Sequence, residues 1–265
     1  QLIIEARSNA GAVRIESTPD KIYVSGGELI IDYNNTSTIY STAPFYDVDI
    51  LTGSDVDLLY PFTILNDFTL GSGITFDHDG FNVTIGGNFT INTGATYIYN
   101  PGDPNTTTIN GDDDSQLAFY NISGSDEQFF WRMVIDKPQD KVVSFASSKV
   151  GPDLEGTSNV LLHIDGDAFI LQSGILDQGF HSVRFNIDTL INYGTLGVYD
   201  PASATPDATS NGNNDLIYFN SDPFELFTDD NSQFGNVRLS SEDQIITLNS
   251  DVYMQRLDWR HGRIY

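Results

Sequence analysis

The chain has 265 residues, no cysteine and a formal net charge of −25, with 37 acidic against 12 basic side chains. The lack of thiols excludes disulfides, thiolate catalysis and cysteine-based zinc sites. So few cations cannot neutralise a phosphate backbone, and the acidic surface repels anionic lipid. We therefore expect no nucleic-acid partner. Because no apolar run reaches the length of about 18 residues that a spanning helix needs, we also expect no membrane insertion.

The composition predicts an all-β fold. Glutamate, a helix former, occurs 7 times against 30 aspartates, which favour turns. Val, Ile, Thr, Tyr and Phe are abundant, and no stretch carries apolar residues at helical spacing. Turn signals recur every 8–12 residues. These patterns predict short strands without significant helix, as in a sandwich, a barrel or a β-solenoid.

Three related modules follow an atypical first segment. Residues 1–44 match the repeat poorly, and we interpret them as an N-terminal cap or partial coil. An aromatic-x-x-aliphatic-x-aliphatic strand then begins at Phe45, Phe130 and Phe234, at spacings of 85 and 104 residues. The third copy stops early, so we expect more protein to follow it. The predicted modules are 45–129, 130–233 and the truncated start of a third at 234–265.

The repeated blocks also indicate which side chains point inward. Residues 77–101 recur without a gap as residues 177–201, and an aligned strand with a glycine turn precedes each block. Alternation with a period of two places every second apolar side chain of a strand on the buried face. The predicted core ladder consists of Phe68, Leu70, Val83, Ile85, Ile91, Phe169, Leu171, Val183, Phe185, Ile191, Leu257 and Trp259.

The way the modules join favours a solenoid among the three β architectures. No linker separates one module from the next, so each one needs its neighbour's face to bury its own apolar side chains. Closed sandwiches would normally be joined by a visible linker. We therefore predict a parallel β-helix built from modules of about 85–104 residues, a rod on the order of 50–60 Å long if coils are spaced by one strand separation.

Three aspartate-rich turns are the candidate metal sites. Two of them carry the D-x-D pattern, which can supply two hard oxygens to calcium, and the third spans residues 112–114. None shows the EF-hand spacing or a glycine-rich nonapeptide repeat. Solvated turns account for these aspartates, so we predict no cofactor. The alternative is a weak calcium site at Asp77, Asp79, Asp165 and Asp167.

Several strings resemble a family over residues 45–265. FYDVDI, SGITFDHDGFNVTIGGNFTI, LQSGILDQGFHSVRFN and ITLNSDV are similar to modules of very large repetitive surface proteins of Bacteroidota, of which gliding-motility adhesins are the best-known members. The resemblance implies a secreted protein displayed at the cell surface, exported by the type IX system, whose repetitive part is an adhesin stalk. The triplet Asp188-Thr189-Leu190 also resembles the Asp-Ser/Thr-aliphatic acceptor of O-glycosylation in this phylum, although such triplets are common by chance.

The same resemblance implies the partners of the parent protein. These are the secretion and surface-attachment machinery, and a host, substratum or glycan surface that other parts of the parent contact. We therefore predict a structural stalk segment without catalytic activity.

The alternative is a carbohydrate-active β-helix, either a polysaccharide lyase or hydrolase, or a glycan-binding module. A lyase needs cationic side chains that converge on one face, but the basic residues at 132–141 and 256–263 lie in different modules. An inverting hydrolase needs two carboxylates about 6.5–9.5 Å apart beside a cation. No sequence motif points to such a pair, and the RHG at 260–262 lacks a preceding glycine.

Overall fold

The structure is a computed structural model in which strands and turns account for the described residues. No helix occurs among them, and nearly all strand pairs are parallel, so the predicted all-β parallel β-helix is confirmed. The exception is the antiparallel pair of Val198–Tyr199 with Ala208–Thr209. The described residues are 11–15, 25–32, 36–51, 55–120, 127–147, 160–179, 181–199, 208–209, 216–220, 224–230, 232–239, 245–259 and 263–264.

The strands are short, and most contain three to five residues. In chain order they are β1 Gly11–Ile15, β2 Glu28–Ile31, β3 Ser37–Ser41, β4 Asp47–Ile50, β5 Asp55–Leu58, β6 Phe62–Ile64, β7 Phe68–Leu70, β8 Thr75–Asp77, β9 Val83–Ile85, β10 Phe89–Ile91, β11 Thr96–Tyr97, β12 Thr106–Ile109, β13 Ser115–Phe119, β14 Gln128–Asp136, β15 Val142–Ser147, β16 Val160–Ser173, β17 Ile175–Asp177, β18 Ser182–Phe185, β19 Thr189–Asn192, β20 Thr195–Tyr199, β21 Ala208–Thr209, β22 Leu216–Phe219, β23 Phe224–Thr228, β24 Gln233–Leu239, β25 Ile245–Leu248, β26 Tyr253–Trp259 and β27 Arg263–Ile264.

Three strands make one coil, and their stacking gives the solenoid three faces. Face 1 contains β1, β3, β5, β8 and β11, then the first halves of β14 and β16, β18, β22 and the second halves of β24 and β26. Face 2 contains β6, β9, β12, the second halves of β14 and β16, β19, β23, β25 and β27. Face 3 contains β2, β4, β7, β10, β13, β15, β17, β20 and the first halves of β24 and β26. Ten stacked strands at about 4.8 Å each make face 3 roughly 45 Å long.

One hydrophobic core runs along the axis through all three faces. Its first half is aromatic: Phe68 and Phe89 stack with ring centroids 5.3 Å apart, and Phe89 also lies 5.5 Å from Tyr97. Phe119 and Phe130 are the other two ring neighbours of Phe89. Stacked rings on successive coils bury large apolar areas and hold the coils in register.

Nine members of the predicted core ladder are buried in this core. None of the nine is more than 1% exposed. They are Phe68, Leu70, Val83, Ile85, Ile91, Phe169, Leu171, Val183 and Phe185.

Of the other three members, Ile191 points outward, so its prediction is wrong, and Leu257 and Trp259 are exposed. In β19, Leu190 is fully buried, whereas Ile191 is only half-buried and points outward. Ile187 keeps the phase of buried Val183 and Phe185, and the two outward residues that follow it, Asp188 and Thr189, shift the alternation by one residue. Leu257 and Trp259 in β26 pair with buried Val237 and Leu239 and so continue the ladder, but they are 39% and 54% exposed because no described strand packs beyond them on face 1.

The repeated modules start on different faces. Phe45 lies on face 2, Phe130 on face 1 and Phe234 on face 3. We count the two halves of β14 and of β16 as separate strands and leave β21 out. Among the described strands, the first strand of each module then lies eleven strands after the first strand of the previous module. Four coils contain twelve strands, so an interval of eleven strands is one strand short of four coils. Each module therefore begins on the face next to the one on which the previous module began. The predicted module boundaries fall within β14 and β24.

Side-chain carboxyl and amide groups link successive coils at the corner between faces 2 and 3. Asp47 Oδ1 accepts from the backbone N–H of Asp67 at 3.2 Å, and Asp67 Oδ1 accepts from that of Asn88 at 2.8 Å. Asn88 Oδ1 and Asp114 Oδ1 accept in the same way from the backbone of the coils that follow them. Each such bond satisfies a backbone donor that a corner would otherwise leave unpaired.

Lys137 continues this corner as a buried ammonium group. Its side chain is 1% exposed, and its Nζ donates to the backbone oxygens of Gly86 at 2.8 Å and of Asp113 at 2.9 Å. Burial lowers the pKa of Lys137, and the nearby carboxylates of residues 112–114 act in the opposite direction. The acidic turn at 112–114 therefore supplies negative charge beside a buried cation.

Candidate functional site

The first candidate calcium turn closes the corner between faces 1 and 2. Asp77 Oδ1 accepts a hydrogen bond from the backbone N–H of Asp79 at 2.9 Å, and His78 Nδ1 accepts from that of Gly80 at 3.1 Å. Asp79 adopts a left-handed φ of 50°. The His78 ring is buried 5.5 Å from Tyr97, and this burial lowers its pKa. Asp77 thus acts as a turn-forming acceptor.

The second candidate turn is the bend by which β16 passes from face 1 to face 2. A Cβ atom on Gly166 would lie 2.1 Å from the backbone oxygen of Trp131, so only glycine fits there. Arg132 donates through its Nε and a terminal nitrogen to the two carboxylate oxygens of Asp167, with Nε 2.9 Å from Oδ1. That bidentate pair occupies both oxygens of Asp167 with a cation.

The structure does not bring the two D-x-D pairs together. β8 and the first half of β16 are three coils apart on face 1, a separation of roughly 14 Å. Within the described ranges no group of three or more His, Asp or Glu side chains is arranged to hold a metal ion. The weak calcium site stays a prediction.

The basic residues considered for lyase chemistry lie on different parts of the coil. Arg132 is on face 2, Lys137 is at the corner between faces 2 and 3, and Arg256 is on face 1. Residues 260–262 lie outside the described residues, as does the side chain of Arg263. Thr189, in the triplet that resembles a glycosylation acceptor, is half-buried in β19 and points outward next to buried Leu190.

Face 1 carries a continuous outward-facing column of aromatic and charged side chains. The Phe129 and His163 rings stack with centroids 4.2 Å apart. The Tyr218 ring has a guanidinium group on each neighbouring coil, Arg184 at 5.5 Å and Arg238 at 5.6 Å from its centroid. Such contacts are favourable for both cations. The column consists, in stacking order, of Phe129, His163, Arg184, Tyr218, Arg238 and Asp258.

A cavity of about 360 Å³ opens beside the first half of this column. His163 is buried there, with its Nε2 3.6 Å from a carboxylate oxygen of Glu127. The Asn186 side-chain amide donates to the Asp165 carboxylate, and the Tyr99 hydroxyl donates to the Asp165 backbone oxygen. We call this the face 1 cavity; it is lined by Glu127, Phe129, His163, Ile164, Asp165, Arg184, Asn186 and Asn220.

Sequence reasoning missed the face 1 cavity. Only Asp165 among its lining residues was a candidate, and for a different role. The available signal was the outward half of the alternation, since Phe129 in β14 and Arg184 in β18 each lie between two buried positions. Several polar groups that converge in a cavity beside an aromatic ring are typical of a ligand site.

The comparisons add no relative. The chain matches no protein-family profile, no curated protein and no solved structure. In the described part of the chain there is no helix with the length and apolarity to cross a membrane.

Proposed function

We propose that this chain is a structural stalk segment of a secreted, surface-displayed adhesin, related to gliding motility and without catalytic activity. The observation that carries the proposal is the continuity of the solenoid. The ladder of face 3 runs without interruption from β2 to β26, and one core lies beneath it. Such a stack offers no joint at which a rod would bend, and stiffness is what holds a binding end away from a cell surface.

The proposed partners follow from that role. The secretion and attachment machinery would act on the parent protein, and a host, substratum or glycan surface would be contacted by other parts of it. The net charge of −25 supports solubility and mutual repulsion of neighbouring rods in an open medium.

Distances between spin labels test the rod. Because the chain lacks cysteine, Thr63→Cys with Thr247→Cys gives one labelled pair on the outer side of face 2. The two residues lie seven coils apart in the ladder, which corresponds to roughly 34 Å. We expect one narrow distance distribution, and a shorter narrow one for Thr63→Cys with Thr189→Cys, five coils apart. Broad or multiple distances for the long pair would reveal a hinge and contradict the stalk.

A glycan-binding module is the second candidate, favoured by the face 1 cavity. Its polar groups, Glu127, Asp165, Asn186 and Asn220, offer both donors and acceptors beside the aromatic column. Adhesion of beads coated with this chain alone to a glycan-coated surface discriminates between the two roles. If the chain is only a stalk segment, the beads do not adhere. If it is a glycan-binding module, they do.

A further inference from the structure

Arg184 differs from Arg132 and Arg238 in how its guanidinium group is paired. Arg132 forms a bidentate pair with Asp167, and Arg238 Nε donates to Asp258 Oδ2 at 2.8 Å. Arg184 forms no ion pair or hydrogen bond with the described residues, and its described contact is with the ring of Tyr218. On a chain with 37 acidic and 12 basic side chains, a guanidinium group without a carboxylate partner is unexpected.

The Nε atom of Arg184 is also buried. It has no hydrogen-bond partner among the described residues, although its N–H is a strong donor. That buried atom is closed to a ligand, so the donors that matter are the two terminal nitrogens of the guanidinium group, which form no hydrogen bond with the described residues and are not buried. Because Arg184 lines the face 1 cavity, a ligand in the cavity can accept from these two nitrogens.

The rest of the lining restricts the chemistry of that ligand. The planar guanidinium fork matches a carboxylate, which accepts two parallel hydrogen bonds. Asn186 and Asn220 present amide groups, while Glu127 and Asp165 present carboxylates that accept from hydroxyl groups. A ligand with one carboxylate and several hydroxyls satisfies both kinds of group. A polyanion does not, because the two carboxylates and the net charge of −25 repel it.

We propose that the face 1 cavity binds a uronic acid residue of an otherwise neutral glycan, with the uronate carboxylate on Arg184. The inference rests on the second candidate function, the glycan-binding module. A volume of about 360 Å³ lies in the range of small-ligand pockets and accommodates a single sugar ring with part of its neighbour. Phe129 and the buried His163 form one wall, and the amide and carboxylate groups engage the ring hydroxyls.

Isothermal titration calorimetry with methyl glucuronoside, compared with methyl glucoside, tests the assignment. We expect the wild-type protein to bind the glucuronoside at least tenfold more tightly than the glucoside. Arg184→Gln should abolish that preference. Arg238→Gln is the matched control, because Arg238 faces the same Tyr218 ring from the other side and its partner Asp258 lies outside the cavity. The control should keep the preference.

Each contrary outcome has a defined meaning. Equal affinity for the two glycosides leaves a glycan-binding module but overturns the carboxylate assignment, and absence of binding to either overturns both. Loss of the preference in Arg238→Gln, with its melting temperature unchanged, also overturns the assignment. If Arg184→Gln does not fold, Arg184→Lys keeps the charge without the planar fork. That variant must lose most of the preference, and an unchanged preference contradicts the bidentate contact.

Discussion

Replacing Lys137 with methionine tests the corner between faces 2 and 3 most directly. The substitution keeps an unbranched apolar side chain of similar length and removes only the ammonium group. The backbone oxygens of Gly86 and Asp113 then lose their donor inside a buried corner. Each unsatisfied acceptor costs about 1–3 kcal/mol, and relief of the buried charge offsets part of that cost. We expect the free energy of unfolding to fall by about 2–4 kcal/mol.

Urea unfolding at pH 7 and 25 °C, monitored by far-ultraviolet circular dichroism, measures this change in the free energy of unfolding. Lys141→Met is the matched control, because Lys141 lies in the same turn but is half-exposed. Its free energy of unfolding should change by no more than about 0.5 kcal/mol. If Lys137→Met and Lys141→Met unfold at the same urea concentration as the wild type, the two hydrogen bonds contribute nothing, and the reasoning about the corner is wrong.

Four further results are expected. Phe89→Ala should lower the free energy of unfolding by about 3–5 kcal/mol, near the upper end because Phe89 has four ring neighbours. Gly166→Ala should cost about 2–3 kcal/mol, because the new Cβ would overlap the backbone oxygen of Trp131 and force the bend to shift. Burial raises the pKa of Asp57, as do the carboxylates of nearby aspartates, so Asp57→Asn should raise the Tm at pH 7 by about 1–3 °C. That gain should vanish below the ordinary pKa of 3.8, where Asp57 is protonated in both folded and unfolded states. Sodium chloride and calcium chloride at matched ionic strength should raise the Tm about equally, since both screen the acidic surface.

Thr90→Ala, on the outer side of β10, and Gly102→Ala, in an exposed turn, should change stability little. A Phe89 or Gly166 variant as stable as these controls would contradict the packing. For Asp57, a gain no larger than that of exposed Asp140→Asn, or one that persists below pH 3.8, would contradict the assigned cause. A shift specific to calcium, abolished by Asp165→Asn with Asp167→Asn, would show that the turn holds the ion.

The fold was predictable because it depends on local patterns that the solenoid repeats. Alternation with a period of two places Phe68, Leu70, Val83 and Ile85 in the core without reference to any distant residue. The same rule failed for Ile191, because a corner adds or removes one residue of phase and the sequence does not mark where that happens.

The candidate site was not predictable, because it depends on which coil stacks on which. Lys137 reaches a carbonyl oxygen 51 residues earlier in the chain, and Arg184 lies beside Tyr218 only because β18 pairs with β22 in one register. Loops of different length between strands hide these pairings in the sequence. The side chains that link coils at the corner between faces 2 and 3 were easier to predict from the sequence. Asp67, Asn88 and Asp114 each directly precede a strand.

The eleven-strand interval between module starts has a consequence for how such a protein grows. In a closed fold, an inserted segment must end at the place where it began. This solenoid accepts a duplicated segment that is one strand, or one third of a coil, shorter than four complete coils. The unit that must be conserved is therefore the single strand with its corner, and the whole coil is free to vary. In an array built on this interval, equivalent loops would follow a helical path around the axis and return to the same side after every three copies. Surface features would then be presented in three directions from one duplicated gene segment.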